Sequence, residues 1–160
     1  MDMSTLPIPP VRYEDGRALT LVGLCERFNL SNLAGLPLLW QRFVDHGGDT
    51  PWLLGKDSYG VCYHPDERGG FDYLAAVELS TDRTLAPGFT TLALAPQHYA
   101  VFEHHGSLQA LKGTFQGLFA WLAQSGLQQA DAALFERYPA GFDPTDPNAA
   151  MEIWVPLQRK

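Results

Sequence analysis

The residues with the clearest chemical potential lie in the last predicted strand, from Met151 to Leu157. Side chains alternate between the two faces of a strand, so positions 151, 153, 155 and 157 form one apolar face, while Glu152 and Trp154 share the other. An indole ring attracts a cation by about 0.5–2 kcal/mol, and a desolvated carboxylate adds charge complementarity. This pattern indicates either an ordinary solvent face with one exposed glutamate or the floor of a pocket for lipophilic cations.

Further aromatic side chains are candidates for the walls of such a pocket. They come from predicted strands and from both predicted helices: Tyr59, Tyr73, Tyr138, Trp40 and Trp121. Core packing and cross-strand contacts explain each of these residues as well as ligand contact does. The sequence therefore leaves both interpretations open for each of them.

The spacings of other common sites do not occur. The sequence has no Gly-x-Ser-x-Gly elbow, no phosphate loop and no zinc motif among its five histidines. His104 and His105 are adjacent on a predicted strand and so point to opposite faces. Cys25 and Cys62 lie in apolar runs, which is typical of free thiols in a reducing compartment. We expect neither a metal site nor a bound cofactor.

Composition limits the classes of partner. The 160 residues suit one domain, with a core at about 11–158, and the formal charge of −7 disfavours nucleic acid and anionic membranes as direct ligands. The sequence has no signal peptide and no membrane-spanning run. We expect a soluble, cytoplasmic protein that is either a monomer or a homodimer.

The hydrophobic pattern gives the same order of elements twice. The first half predicts a strand within 18–28, a helix that starts near Leu36 and ends at Gly47-Gly48, and strands at 59–64 and 71–79. The second half predicts strands at 90–95 and 99–104, a helix capped by Ser107 and closed by Ser125-Gly126, and strands at 134–138 and 151–157. This strand–helix–strand–strand duplication predicts an α+β fold, with both helices on one face of antiparallel strands.

Several segments in this order resemble the GyrI-like domain, also known as the AraC effector-binding domain. They are Phe71-Asp-Tyr-Leu-Ala-Ala-Val-Glu-Leu79, Tyr99-Ala-Val-Phe-Glu-His-His-Gly106, Trp121-Leu-Ala-Gln-Ser-Gly126, Leu134-Phe-Glu-Arg-Tyr138, the loop at 142–147 and Glu152-Ile-Trp-Val-Pro156. The resemblance as a whole runs in order from about residue 11 to 158, which is nearly the whole chain. The resemblance implies two halves that flank a central groove for hydrophobic, often cationic, small molecules. It also implies that Glu152 contacts the ligand and that Trp154, Tyr138, Tyr73 and Tyr59 line the groove.

The resemblance leaves three functions open. Many members of the family carry a DNA-binding domain, for which the roughly ten residues before the first predicted strand are too few. A binding module that senses or sequesters lipophilic cations is the leading expectation. The second is a hydrolase of strained electrophiles such as cyclopropanoids, with Glu152 and Tyr138 as the catalytic pair. The third is a protein-interaction module, for example an inhibitor of a topoisomerase.

Overall fold

The computed structural model describes residues 6–29, 31–45, 57–79, 87–106, 110–143 and 146–158. The first half contains β1 (Arg12–Gly16), β2 (Leu19–Phe28), α1 (Leu36–Asp45), β3 (Ser58–Tyr63) and β4 (Phe71–Glu78). The second half contains β5 (Thr90–Leu94), β6 (Gln97–His105), α2 (Leu111–Ser125), β7 (Leu134–Tyr138) and β8 (Ala150–Leu157). A short 3₁₀ turn, Leu33–Gly35, leads into α1.

The eight strands form one antiparallel sheet in the order β1-β6-β8-β7-β3-β4-β2-β5. Three strands of each half are contiguous, and the two sets meet where β3 pairs with β7. The first strand of each half crosses over, so that β1 pairs with β6 and β5 pairs with β2. This order confirms the α+β class and the duplicated arrangement.

Both helices cover the same face of the sheet, which we call the helical face. Leu118 and Leu122 of α2 pack against apolar residues of β6 and β8, and Leu39 and Phe43 of α1 pack against β2 and β4. The two clusters meet at the centre of the sheet, since Trp40 and Cys62 pack against both. The junction between the two halves is therefore also the junction between the two helix-covered cores.

The other face of the sheet, which we call the back face, carries a third buried cluster. Among the described residues, none of its members comes from a helix. Phe135 and Trp154 stack at 5.3 Å between ring centroids, and Tyr99 packs edge-on against both rings at 5.4 Å. The back face is thus filled by its own aromatic side chains.

The predicted alternation in the last strand is confirmed. The register of β8 against β6 is unbroken from Ala150 to Leu157. As a result Met151, Ile153, Val155 and Leu157 lie on the helical face and are at most 3% exposed. Trp154 lies on the back face with Tyr59 and Phe135.

The described residues include the start and the end of α2. The helix α2 begins at Leu111 with Ala110 at its N-cap, three residues beyond the Ser107 that was predicted to cap it. Ser107 itself lies outside the described residues, as does the Gly47-Gly48 end predicted for α1. Gly126 does close α2 in the left-handed conformation, at φ 80°. Within the described part of the chain, no helix is long and apolar enough to cross a membrane.

Candidate functional site

A buried carboxyl group lies at the centre of the helical face. Leu134, Glu136 and Tyr138 alternate onto this face of β7, while Phe135 and Arg137 alternate onto the back face. Because β7 pairs with β8 on one side and with β3 on the other, it is a central strand of the sheet. Glu136 is consequently buried, with 7% of its surface exposed.

Two tyrosines donate hydrogen bonds to this carboxyl group. The hydroxyls of Tyr73 and Tyr138 both reach Oε1 of Glu136, at 2.7 Å and 3.0 Å. The indole Nε1 of Trp40 in turn donates to the Tyr73 hydroxyl at 3.0 Å. A donor chain therefore runs from α1 through β4 and ends on β7.

The strand register brings these groups together. Gly60 of β3 is the cross-strand partner of Glu136, and its neighbour two residues on, Cys62, is the partner of Tyr73 on β4. A Cβ at position 60 would lie 2.0 Å from the Tyr73 hydroxyl and 2.6 Å from Oε1 of Glu136. The missing side chain of Gly60 thus provides the space in which the hydroxyl and the carboxyl group meet.

Aromatic rings close the site from above. Trp40 makes edge-on contacts with Tyr138 at 5.6 Å, with Phe43 at 5.9 Å and with Tyr73 at 6.3 Å between ring centroids. Tyr138 also packs edge-on against Phe142 at 5.0 Å. We call Glu136 and the three residues Trp40, Tyr73 and Tyr138 the central cluster.

The central cluster favours neutral forms of its titratable groups. Burial raises the pKa of Glu136 above 4.5, and the hydrogen bonds from the two tyrosines offset only part of that effect. Burial also raises the pKa of Cys62, Tyr73 and Tyr138. Among the described residues, no cationic side chain forms a hydrogen bond or an ion pair with Glu136. A buried charge without a partner costs roughly several kcal/mol, so the protonated carboxyl group is favoured.

The second acidic candidate, Glu152, has a cationic partner. The guanidinium of Arg12 donates to both carboxylate oxygens, at 2.7 Å and 3.1 Å, and the indole of Trp154 donates a third bond at 3.0 Å. Burial alone would raise the pKa of Glu152, but the bonds from Arg12 and Trp154 outweigh it and hold the pKa below 4.5. The guanidinium carbons of Arg12 and Arg137 also lie 5.6 Å and 5.8 Å from the Trp154 ring centroid.

A shallow groove of about 300 Å³ opens beside Glu152 on the back face. It is lined by Asp57, Glu103 and Arg137, among others. Arg137 and Asp57 form an ion pair at 3.0 Å, and Glu103 pairs with His105. Each charged group that lines this groove is therefore already engaged: Asp57 and Arg137 pair with each other, Glu103 pairs with His105, and Glu152 pairs with Arg12.

The predicted site residues fall into separate places. Trp40, Tyr73 and Tyr138 come together around Glu136, whereas Glu152, Trp154 and Tyr59 lie on the back face. Trp121 belongs to neither group, since it packs edge-on against Phe102 beneath α2, at 5.8 Å between centroids. Glu152 and Tyr138 thus lie on opposite faces of the sheet and cannot act together on one bound molecule.

Glu136 is not among the site residues predicted from the sequence. Its signal was nevertheless present in the segment 134–138, because Tyr138 was a candidate and a residue two positions away on a strand points to the same face. The described residues contain no group of three or more His, Cys, Asp or Glu side chains that could hold a metal ion. The site is therefore one of aromatic rings, hydroxyls and one carboxyl group.

A buried carboxyl group surrounded by aromatic side chains is the kind of arrangement that binding sites for small molecules use. Comparison with family models agrees, since residues 9–158 match the GyrI-like small molecule binding domain. The chain belongs to this family.

Individual relatives support the assignment. The chain is 30% identical over 152 residues to the transcriptional regulator BrlR of Pseudomonas aeruginosa. This match covers 91% of the chain and 54% of BrlR, so the chain spans about half the length of that curated relative. The solved structure of SAV2435 bound to tetraphenylphosphonium is similar with a TM-score of 0.75 and 26% identity, over 92% of this chain and 93% of that one. A putative transcription regulation protein from Staphylococcus aureus MU50 matches with a TM-score of 0.72 and 25% identity, over 92% and 97% of the two chains.

Proposed function

We propose that the protein binds lipophilic organic cations at the central cluster, with Glu136 as the counter-charge. The observation that carries the proposal is the buried carboxyl group of Glu136, which receives bonds from hydroxyls of Tyr73 and Tyr138. A bound cation would supply the positive partner that this carboxyl group lacks among the described residues. A buried carboxyl group of this kind should bind a positively charged ligand more tightly than a neutral ligand of the same shape.

The choice of Glu136 over Glu152 rests on competition. A cation that approached Glu152 would have to displace the two-pronged contact from Arg12, which already supplies the complementary charge. A cation that approached Glu136 would displace no positive group among the described residues. Glu152 is better explained as the partner that fixes Arg12 over the Trp154 ring.

The aromatic rings of the central cluster add to the attraction. Rings of Trp40, Tyr73 and Tyr138 surround the carboxyl group, and each cation–π contact contributes about 0.5–2 kcal/mol. Because these rings pack against one another, a ligand that contacts Glu136 would have to separate them, and Trp40 is the ring that contacts both tyrosines. The bound tetraphenylphosphonium in the similar SAV2435 structure makes that ion the natural first probe.

The test is calorimetric titration of tetraphenylphosphonium into the wild-type protein, Glu136→Gln and Glu152→Gln. We expect saturable binding in the wild type, a loss of affinity of about tenfold or more in Glu136→Gln, equivalent to at least roughly 1.4 kcal/mol, and little change in Glu152→Gln. Tetraphenylborate, which has the same shape and the opposite charge, should not bind. If Glu152→Gln loses the affinity and Glu136→Gln keeps it, the back face is the site instead.

A hydrolase is the second candidate function, with Glu136 in the place predicted for Glu152. The observation in its favour is that the Tyr138 hydroxyl lies 3.0 Å from the Glu136 carboxyl group, whose pKa burial raises. A carboxyl group with a raised pKa suits general acid–base catalysis. Incubation with strained cyclopropane electrophiles and product analysis tests it: turnover lost in both Glu136→Gln and Tyr138→Phe supports the enzyme, and unchanged substrate refutes it.

A further inference from the structure

We infer that the site works by proton exchange: Glu136 holds a proton when the cluster is empty and releases it to solvent when an organic cation binds. The inference rests on the proposed function, because it concerns the same carboxyl group. It goes further by stating how the empty site avoids a buried charge. It also makes the affinity for cations a function of pH.

Among the described residues, no permanent positive charge contacts the carboxyl group of Glu136. The groups that face its carboxyl come from each surrounding element and are Tyr138 on β7 itself, Tyr73 on β4, Cys62 on β3, Trp40 on α1 and the apolar Ile153 on β8. The charged neighbour in sequence, Arg137, lies on the back face and pairs with Asp57. The buried His104 on the helical face lies two strands away, on β6, and bonds the Thr114 hydroxyl of α2.

Two influences act on the carboxyl group in opposite directions. Burial among apolar and aromatic side chains favours the protonated form, while the hydroxyl donors favour the carboxylate. Burial is the larger influence and leaves the pKa of Glu136 above 4.5. Both hydroxyls bond the same oxygen, Oε1, so protonation at Oε2 leaves those two bonds in place.

The exchange conserves charge and atoms. The neutral carboxylic acid and the cation in water become a carboxylate paired with the bound cation, and one proton passes to the buffer. The site is neutral before and after binding, so neither state buries a net charge. A neutral ligand of similar shape would bind without releasing a proton.

The experiment measures tetraphenylphosphonium binding to the full chain at a series of pH values between about pH 4.5 and pH 8. At one acidic pH, the titration is repeated in two buffers with different enthalpies of ionisation, which gives the number of protons released. Triphenylphosphine oxide serves as the neutral ligand, and Glu136→Gln as the variant that cannot exchange a proton. Circular dichroism at each pH confirms that both proteins remain folded.

We expect the dissociation constant of the wild type to rise towards tenfold for each unit of falling pH on the acid side, with up to one proton released per cation. Glu136→Gln should bind weakly with no such pH dependence, and triphenylphosphine oxide should release no proton. If the wild type binds the cation with the same affinity at every pH, the exchange is refuted and the proposed function stands. If the wild type binds no cation at any pH, both are refuted.

Discussion

Gly60 and Glu136 are cross-strand partners at the junction of the two halves, and the carboxyl group of Glu136 occupies space that a side chain at position 60 would need. The Tyr73 hydroxyl extends into the same space from β4. A glycine, which has no side chain, thus lies opposite the buried glutamate. That pairing allows the hydroxyls of Tyr73 and Tyr138 to meet the carboxyl group of Glu136 beneath Trp40.

Replacing Gly60 with alanine should disturb the central cluster. The new methyl group would force the Tyr73 hydroxyl and the Glu136 carboxyl group apart, and we expect a loss of about 1–3 kcal/mol in unfolding free energy. Cation affinity should fall as well, because the carboxyl group loses its position. Urea denaturation and calorimetric titration measure the two effects.

Gly113→Ala is the matched control. Gly113 lies in α2, where an added Cβ meets no atom within 4 Å. Alanine is favoured over glycine in a helix by about 1 kcal/mol, so this variant should be as stable as the wild type or more stable, and should bind normally. An equally stable Gly60→Ala variant would contradict the close packing described at that position.

Replacing Trp40 with alanine should open the route to Glu136. Because its indole covers the cluster and bonds Tyr73, we expect a loss of about 2–4 kcal/mol in stability together with faster association of tetraphenylphosphonium. Stopped-flow fluorescence follows the association rate. Trp121→Ala is the control, because it also removes an indole ring, from α2, where that ring contacts Phe102. It should lower stability without changing that rate, and equal rates in both variants would argue against Trp40 as the cover.

The two glutamates should give opposite pH dependences of folding stability. Since the pKa of Glu136 is raised by burial above 4.5, the folded state holds its proton more tightly, and stability is lost as the pH rises from about 4.5 through the raised pKa. Because the Arg12 and Trp154 bonds keep the pKa of Glu152 below 4.5, stability from that group is lost as the pH falls through the lowered pKa.

Chemical denaturation over a pH series separates the two contributions. Glu136→Gln should remove the loss of unfolding free energy on the rising-pH side and leave the acid side unchanged. Glu152→Gln should flatten the acid side only. An unfolding free energy for Glu136→Gln that still falls with rising pH, in parallel with the wild type, would show that another group titrates there.

The sequence predicted the elements well because their patterns are local. The alternation in β8, the helical stripe of α2 and the turn glycine at 126 each specify an element without reference to the rest of the chain. The short strand at 134–138 was also predicted, and its Tyr138 was a site candidate. The local pattern did not show that this strand lies at the centre of the sheet.

The faces of separate strands could not be related from sequence. Tyr59 and Tyr73 lie on adjacent strands, yet Tyr59 pairs with Ala76 and points to the back face, while Tyr73 pairs with Cys62 and points to the helical face. Register is a tertiary property, and a shift by one residue reverses every side chain. The segment Phe-Glu-Arg-Tyr has a charged residue on each face, so only the position of β7 in the sheet identifies the buried one.

The exchange of edge strands between the halves also bears on how the chain folds. Arg12 of β1 pairs with Val101 of β6, so β1 lacks its partner strand until roughly 90 further residues have been made. At the usual pace of synthesis this wait lasts roughly 5 to 18 seconds. During that time neither half is complete. The protein should therefore fold as one cooperative unit after synthesis, and an isolated N-terminal half should be a substrate for chaperones or proteases rather than a working half-domain.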